Sequence, residues 1–122
     1  MGLSNFYETY PKLLLSRLSK GPPPQYRWLA WKVVTQKRLK PTKGLYEEVL
    51  QKGKESACMA DIVKDLDRTF PNHQFFFKDN FRNSGQNALK NILASYSVYN
   101  EKVGYCQSMN FLAGFILLVN GC

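Results

Sequence analysis

Apolar residues recur along this chain at helical spacing, in segments separated by proline and glycine. In the clearest segment, 86–99, four apolar positions stand at i, i+3, i+4 and i+7, namely Leu89, Ile92, Leu93 and Tyr96. Further helices are predicted over residues 10–20, 25–39, 45–51, 59–68 and 105–119. No segment alternates between apolar and polar residues as a half-buried strand does. The chain is therefore predicted to be all-α.

The length and composition indicate one folded domain. With 122 residues and a hydrophobic content of 44%, the chain can bury a core and is unlike a disordered segment. Its longest apolar run, residues 111–119, is about half as long as a membrane span. The three cysteines, Cys58, Cys106 and Cys122, lack metal-ligand spacing and are interpreted as reduced thiols. Together with the lack of a secretory signal pattern, this predicts a cytoplasmic protein.

Positive charge is concentrated in the first part of the chain. The net charge is +8, and residues 1–54 hold 11 of the 17 Lys and Arg residues against 3 of the 9 acids. Such a surface fits an anionic membrane, a nucleic acid or an acidic protein face. It is equally consistent with an ordinary solvated surface.

The predicted helix 59–68 ends in an arginine. At about 100° per residue its apolar positions fall on one side, and Asp61, Asp65 and Arg68 fall on the other. A cation near a helix C-terminus is stabilised by the helix dipole and needs no function. Asp65 can form an ordinary ion pair with Arg68, or it can fix the orientation of the guanidinium for catalysis. The spacing leaves both interpretations open.

A polar stripe runs along the predicted helix 105–119, which is otherwise apolar and expected to be buried on most faces. Gln107 is predicted to lie in the first turn, and Asn110 and Gly114 follow on the same stripe at i+3 and i+7. One interpretation is a strip that faces solvent. The other is a strip that lines a surface used by a partner.

Three short motifs follow one another along the chain. They are Arg-x-x-x-Trp at Arg27 and Trp31, Ile-x-x-Asp-x-x-Arg at Ile62, Asp65 and Arg68, and Tyr-x-Gln at Tyr105 and Gln107. In this order they resemble the TBC domain family, the all-helical GTPase-activating proteins for Rab GTPases. The resemblance covers roughly residues 19–122.

This resemblance implies a multi-helix TBC-like fold. Residues 19–122 would be the N-terminal part of a TBC domain with both finger motifs, and residues 1–18 a helical extension. Family domains are longer than this chain, so the domain would be cut short at its C-terminus. In that case we expect an apolar flank of the helix 105–119 to be uncovered, with Phe111, Phe115 and Leu118 on it.

The resemblance also implies roles for individual residues. Arg68 would be an arginine finger and Gln107 a glutamine finger, both acting in trans on a Rab-type GTPase. Asp65 and Arg27 would brace the arginine and its helix, and Tyr105 would pack or present backbone near Gln107. The chain would be a GTPase activator without a cofactor or metal of its own, because GTP and magnesium would belong to the GTPase.

Ser108 departs from the family pattern, which usually has glycine after the glutamine. Its hydroxymethyl group would either crowd an approaching GTPase or be harmless. Two other functions stay open. The chain could be a non-catalytic TBC-like module that binds a GTPase or a scaffold. It could also be a basic helical module that binds anionic membrane or nucleic acid through residues 12–54, although nucleic acid is not expected as a partner. The expected location is the cytoplasm, including the periphery of endomembranes.

Overall fold

The computed structural model describes residues 2–40, 42–77 and 84–119. In these residues the chain forms α-helices and one short 3-10 helix, and it contains no strand, which confirms the all-α prediction. None of the described helices is both long and apolar enough to cross a bilayer. The chain divides into two compact units, residues 1–42 and 43–122, and each is described by itself. The boundary between residues 18 and 19 expected from the sequence stays a prediction.

The first unit is a small helical cluster. Its helices are α1 (Leu3–Thr9), α2 (Pro11–Leu18) and α3 (Pro24–Leu39). Proline stands in the first turn of α2 and of α3, where its missing N–H is not needed. Helix α1 packs against both other helices. The buried apolar residues are Leu14, Ala30 and Val33.

The second unit is built around one long helix. Its elements are α4 (Leu45–Gly53), α5 (Met59–Leu66), a 3-10 helix (Gln74–Phe76), α6 (Ser84–Tyr99) and α7 (Met109–Val119). Helix α6 packs against all four of the others. The buried core consists of Ile62, Leu66, Phe76, Leu89, Leu93, Ala94 and Leu117. Packing in this core holds α5 and α7 against α6, and α5 and α7 also contact each other.

Helices α4 and α6 approach closely because Gly53 has no side chain. A Cβ atom at Gly53 would lie 2.9 Å from the backbone of Ala94. Nearby, the hydroxyl groups of Ser56 and Ser97 form a buried hydrogen bond of 2.6 Å. This contact stabilises the second unit on the α4 side of α6.

Helix α7 begins four residues later than predicted. Residues 105 and 106 are extended or irregular, Gln107 and Ser108 form a turn, and the helix starts at Met109. The backbone of Ser108 is left-handed, with φ 82°, and a left-handed residue cannot continue a right-handed helix. The prediction that Gln107 lies in a helical first turn is therefore wrong.

One face of α7 is exposed, and its members differ in part from the uncovered flank that was expected from the sequence. The exposed apolar residues are Phe111, Leu112, Phe115 and Ile116, at 44–68% exposure. Of the flank expected from the sequence, Phe111 and Phe115 are exposed, whereas Leu118 is half-buried against the core.

Candidate functional site

An open depression of about 290 Å³ lies in the second unit, where the end of α5 meets the turn before α7. It is lined by Asp61, Lys64, Asp65, Arg68, Tyr105 and Gln107. Four of the five site residues predicted from the sequence therefore lie together. The fifth, Arg27, is an exposed residue of α3 in the first unit.

Arg68 lies in the turn that follows α5. Its backbone N–H donates to the carbonyl oxygen of Asp65 at 3.2 Å, which continues the helical path for one more turn. Its side chain is 70% exposed, and Nη1 lies 3.6 Å from Oδ1 of Asp65. Because this separation is longer than a hydrogen bond, the carboxylate attracts the guanidinium but does not hydrogen-bond to it.

Asp65 is buried, although the sequence pattern put it on the polar side of its helix. Its side chain is 12% exposed. The reason is Tyr105, which lies 40 residues later and covers the carboxylate by donating a hydrogen bond of 2.7 Å from Oη to Oδ2. Oδ1 is the oxygen nearer Arg68, so the two carboxylate oxygens have different partners.

Tyr105 connects the core with this carboxylate. Its ring packs against the buried core of the second unit. Burial raises the pKa of its phenol, and the hydrogen bond to the Asp65 carboxylate raises that pKa further. The phenol is thus a protonated donor at any physiological pH, and it gives the buried carboxylate of Asp65 a hydrogen-bond partner.

Gln107 is exposed, in the turn before α7. The first helical hydrogen bonds of α7 run from the N–H groups of Phe111 and Leu112 to the carbonyl oxygen of Ser108. The glutamine therefore lies just outside the helix, on a turn whose shape depends on the left-handed Ser108. A left-handed conformation costs a non-glycine residue about 1–2 kcal/mol, and glycine adopts it without this cost.

The burial of two polar residues was not predicted, because Thr69 was not singled out in the sequence and Asn110 was placed on the polar stripe. Nδ2 of Asn110 donates to Oγ1 of Thr69 at 2.8 Å, and that hydroxyl donates to the carbonyl oxygen of Asp65 at 2.8 Å. Asn110 is 1% exposed and Gly114 is buried, so only Gln107 of the predicted polar stripe reaches the surface. Both interpretations of that stripe were wrong for Asn110 and Gly114, which pack against the segment after Arg68.

The chemistry available in the depression is hydrogen bonding and charge. An exposed guanidinium and an exposed carboxamide project from neighbouring turns. Lys64 adds a second cation, whose ammonium lies 3.1 Å from Asp61. Within residues 2–40, 42–77 and 84–119, no group of three or more His, Cys, Asp or Glu residues could hold a metal ion. Cys58 is half-buried and Cys106 is exposed, both as free thiols, and Cys122 lies outside the described residues.

A helical unit that presents an arginine and a glutamine beside a buried aspartate has the motif residues of the TBC class in one place. In agreement, the chain matches the family model of the Rab-GTPase-TBC domain over residues 24–121. The chain belongs to the Rab-GTPase-TBC domain family.

Curated relatives agree with this assignment. The chain is similar to growth hormone-regulated TBC protein 1-A of Danio rerio, with 38% identity over 103 residues that cover 83% of this chain and 29% of the relative. It is also similar to two proteins of Saccharomyces cerevisiae, each with 38% identity over 81% of this chain. These are GTPase-activating protein MSB4, covered to 22%, and GTPase-activating protein GYP3, covered to 18%. The chain thus spans less than a third of the length of these relatives.

Proposed function

We propose that this chain is the part of a Rab GTPase-activating protein that supplies two side chains, Arg68 and Gln107, to the GTPase in trans. The observation that carries this proposal is that both side chains are exposed and line the same depression. Two relatives named as GTPase-activating proteins support the activity.

Arg68 would stabilise the charge that develops on the transferred phosphoryl group. GTP hydrolysis spreads negative charge over the phosphoryl oxygens, and a planar guanidinium can donate several hydrogen bonds to them while it stays ionised. In other GTPase-activating proteins an arginine delivered in this way accelerates hydrolysis by about 10³–10⁵. The exposure of Arg68 and its loose contact with Asp65 are consistent with delivery into a partner.

Gln107 would orient the attacking water. A carboxamide can accept a hydrogen bond from water through its oxygen and donate one to a phosphoryl oxygen through its nitrogen. In this role it would replace the glutamine with which many GTPases position the water themselves. Its location in a turn, outside α7, lets the amide extend away from the unit.

Asp65 and Tyr105 would act as supports for Arg68. The carboxylate is held by Tyr105 on one oxygen and attracts the guanidinium with the other. This arrangement limits the orientations of the arginine without using up its donors. The supporting role predicted for Arg27 stays a prediction, because α3 belongs to the other unit.

The partner would be a Rab-type GTPase in its GTP-bound form, with its own magnesium ion. The proposed location is the cytoplasm, at the surface of endomembranes. Contact with an anionic membrane is favoured by residues 1–42, which contain eight Lys and Arg residues and one acid. Sedimentation with phosphatidylserine vesicles, but not with neutral vesicles, would support this contact, and it should weaken steeply with salt.

The decisive experiment is single-turnover hydrolysis by a panel of GTP-loaded Rab proteins, measured with the full-length protein. At least one Rab should be stimulated, and Arg68→Ala should remove most of the stimulation. Lys64→Ala is the matched control, because its side chain is also 70% exposed and lies in the same depression. Equal losses in both variants, or a normal rate with Arg68→Ala, would contradict the arginine assignment. Binding without stimulation would favour a non-catalytic module.

A further inference from the structure

A buried hydrogen bond joins the turn that carries Arg68 to the start of α7, which follows the turn of Gln107. Thr69 directly follows Arg68, and Asn110 lies three residues after Gln107. Nδ2 of Asn110 donates to Oγ1 of Thr69 at 2.8 Å, and the two residues are 1% and 0% exposed. Because both are buried, neither can touch a docked partner.

The Thr69 hydroxyl extends this link into α5. It accepts from Asn110 and donates to the carbonyl oxygen of Asp65 at 2.8 Å, so its proton and one lone pair are both used. The carbonyl of Asp65 also accepts from the N–H of Arg68. Asn110 at the start of α7 is thereby connected, through one hydroxyl, to the turn that carries Arg68.

The backbone around Thr69 needs such a constraint. Phe70 has a left-handed φ of 45°, which is unfavourable for a bulky residue. Its ring contacts Phe76 and Phe111, which keep it in place. Helix α7 lies so close that a Cβ atom at Gly114 would be 2.9 Å from Cγ2 of Thr69. The turn that carries Arg68 is therefore strained and packs closely against α7.

We propose that the Thr69–Asn110 hydrogen bond sets the relative position of Arg68 and Gln107, so that Thr69 and Asn110 are positioning residues for the two side chains. This inference rests on the proposed function. The two side chains must meet one phosphoryl group and one water, and a misplacement of about 1 Å can cost about 100-fold in rate. Loss of the bond should lower the rate within the complex and leave the affinity for the GTPase unchanged.

The test uses two substitutions of one residue in the full-length protein. Thr69→Val keeps the shape and removes the hydroxyl, whereas Thr69→Ser keeps the hydroxyl. Single-turnover rates are measured as the activator concentration is varied. Thr69→Val should lower the saturating rate about 10–100-fold with an unchanged half-saturation concentration, and Thr69→Ser should retain most of the rate. Asn110→Leu should lower the saturating rate as well, and its loss should not add to that of Thr69→Val, because both remove one bond.

Ser97→Ala is the matched control. It removes a buried hydrogen bond of the same unit, on the α4 side of α6 and outside the depression. Its saturating rate should stay normal when corrected for the folded fraction. If Ser97→Ala slows hydrolysis as much as Thr69→Val does, or if Thr69→Val and Thr69→Ser behave alike, the positioning role is wrong.

Hydrogen exchange separates this inference from the proposed function. Thr69→Val should accelerate amide exchange in residues 66–70 and 109–112 but not in α4, and Ser97→Ala should not accelerate exchange in those two segments. Unchanged exchange in both segments would overturn the link between them, whatever the activity. If the wild type stimulates no Rab while the exchange result is as expected, the proposed function is what fails.

Discussion

The Tyr105 hydroxyl donates a hydrogen bond of 2.7 Å to the buried carboxylate of Asp65, which lies 40 residues earlier in the chain. The same carboxylate attracts Arg68 through its other oxygen. A residue next to the turn of Gln107 therefore determines the surroundings of Arg68. Substitutions at Tyr105 should therefore change the environment of the Arg68 guanidinium, although the two side chains have no bond of their own in the described structure.

Tyr105→Phe should destabilise the second unit by about 1 kcal/mol, because Asp65 loses its donor while it stays largely buried. We also expect slower stimulated hydrolysis, since Arg68 would then be the main partner of the carboxylate. Urea unfolding and single-turnover assays measure the two effects. Tyr99→Phe, at a tyrosine that is 61% exposed, should change neither quantity. A Tyr105→Phe variant with wild-type stability would show that the bond contributes little.

The stability contributed by this hydrogen bond should depend on pH in one direction. The folded state raises the pKa of Tyr105 above its ordinary value of about 10. The contribution is therefore complete below about pH 10 and is lost as pH rises beyond it, because the unfolded phenol ionises first. The difference in unfolding free energy between wild type and Tyr105→Phe should be constant from about pH 7 to 9 and shrink above about pH 10.

Arg68→Lys should restore little of the activity lost in Arg68→Ala. The ammonium of lysine is a point charge and cannot reproduce the planar set of donors of a guanidinium. Both variants should keep the fold, because the Arg68 side chain is 70% exposed. Circular dichroism and single-turnover hydrolysis test this pair, and nearly full activity of Arg68→Lys would indicate that charge alone is sufficient.

Gln107→Ala should be nearly as damaging as Arg68→Ala, and a Rab that lacks its own glutamine should still respond to the wild-type protein. Both expectations follow if the water is placed by Gln107. Combining Gln107→Ala with the glutamine-less Rab should remove the remaining stimulation. A glutamine-less Rab that is wholly unresponsive to an otherwise active protein would refute the two-residue mechanism.

Ser108→Gly should raise the unfolding free energy by about 1 kcal/mol, because it relieves the left-handed backbone at φ 82°. Stimulated hydrolysis should be equal or higher. Ala60→Gly is a suitable comparison, since it adds glycine to the ordinary helical backbone of α5 and should cost about 1 kcal/mol. Thermal unfolding of both variants distinguishes relief of strain from a general effect of glycine. Destabilisation by Ser108→Gly would contradict the strain.

The parts of the fold that depend on local patterns could be predicted from the sequence. Helices α3 and α6 were predicted to within two residues, because amphipathic spacing and nearby proline or glycine mark them. Helix α1 was missed, since residues 3–9 contain no buried position and little periodicity. The start of α7 was missed because the left-handed conformation of Ser108 is not a property of serine in general.

The sequence motifs named Arg68 and Gln107 as candidate site residues, and both line the depression. The burial around them could not be predicted, because helical geometry alone put Asp65 on an exposed face. Its burial depends on Tyr105, and the burial of Asn110 depends on Thr69, which lies 41 residues earlier. Contacts over such separations are decided by how α5 and α7 pack on α6, and no local pattern in the sequence reports that packing.

For the proposed delivery of Arg68 to a GTPase, the loose pairing with Asp65 also affects the entropy cost of docking. A fully solvated arginine loses much of its rotamer freedom when a partner immobilises it, at a cost of about 0.5–1.5 kcal/mol. A carboxylate 3.6 Å away narrows that freedom before any partner arrives, while the guanidinium keeps its donors for new bonds. Because Asp65 is buried, its carboxylate stays in place when the arginine side chain moves. The restriction on the orientation of the guanidinium therefore persists.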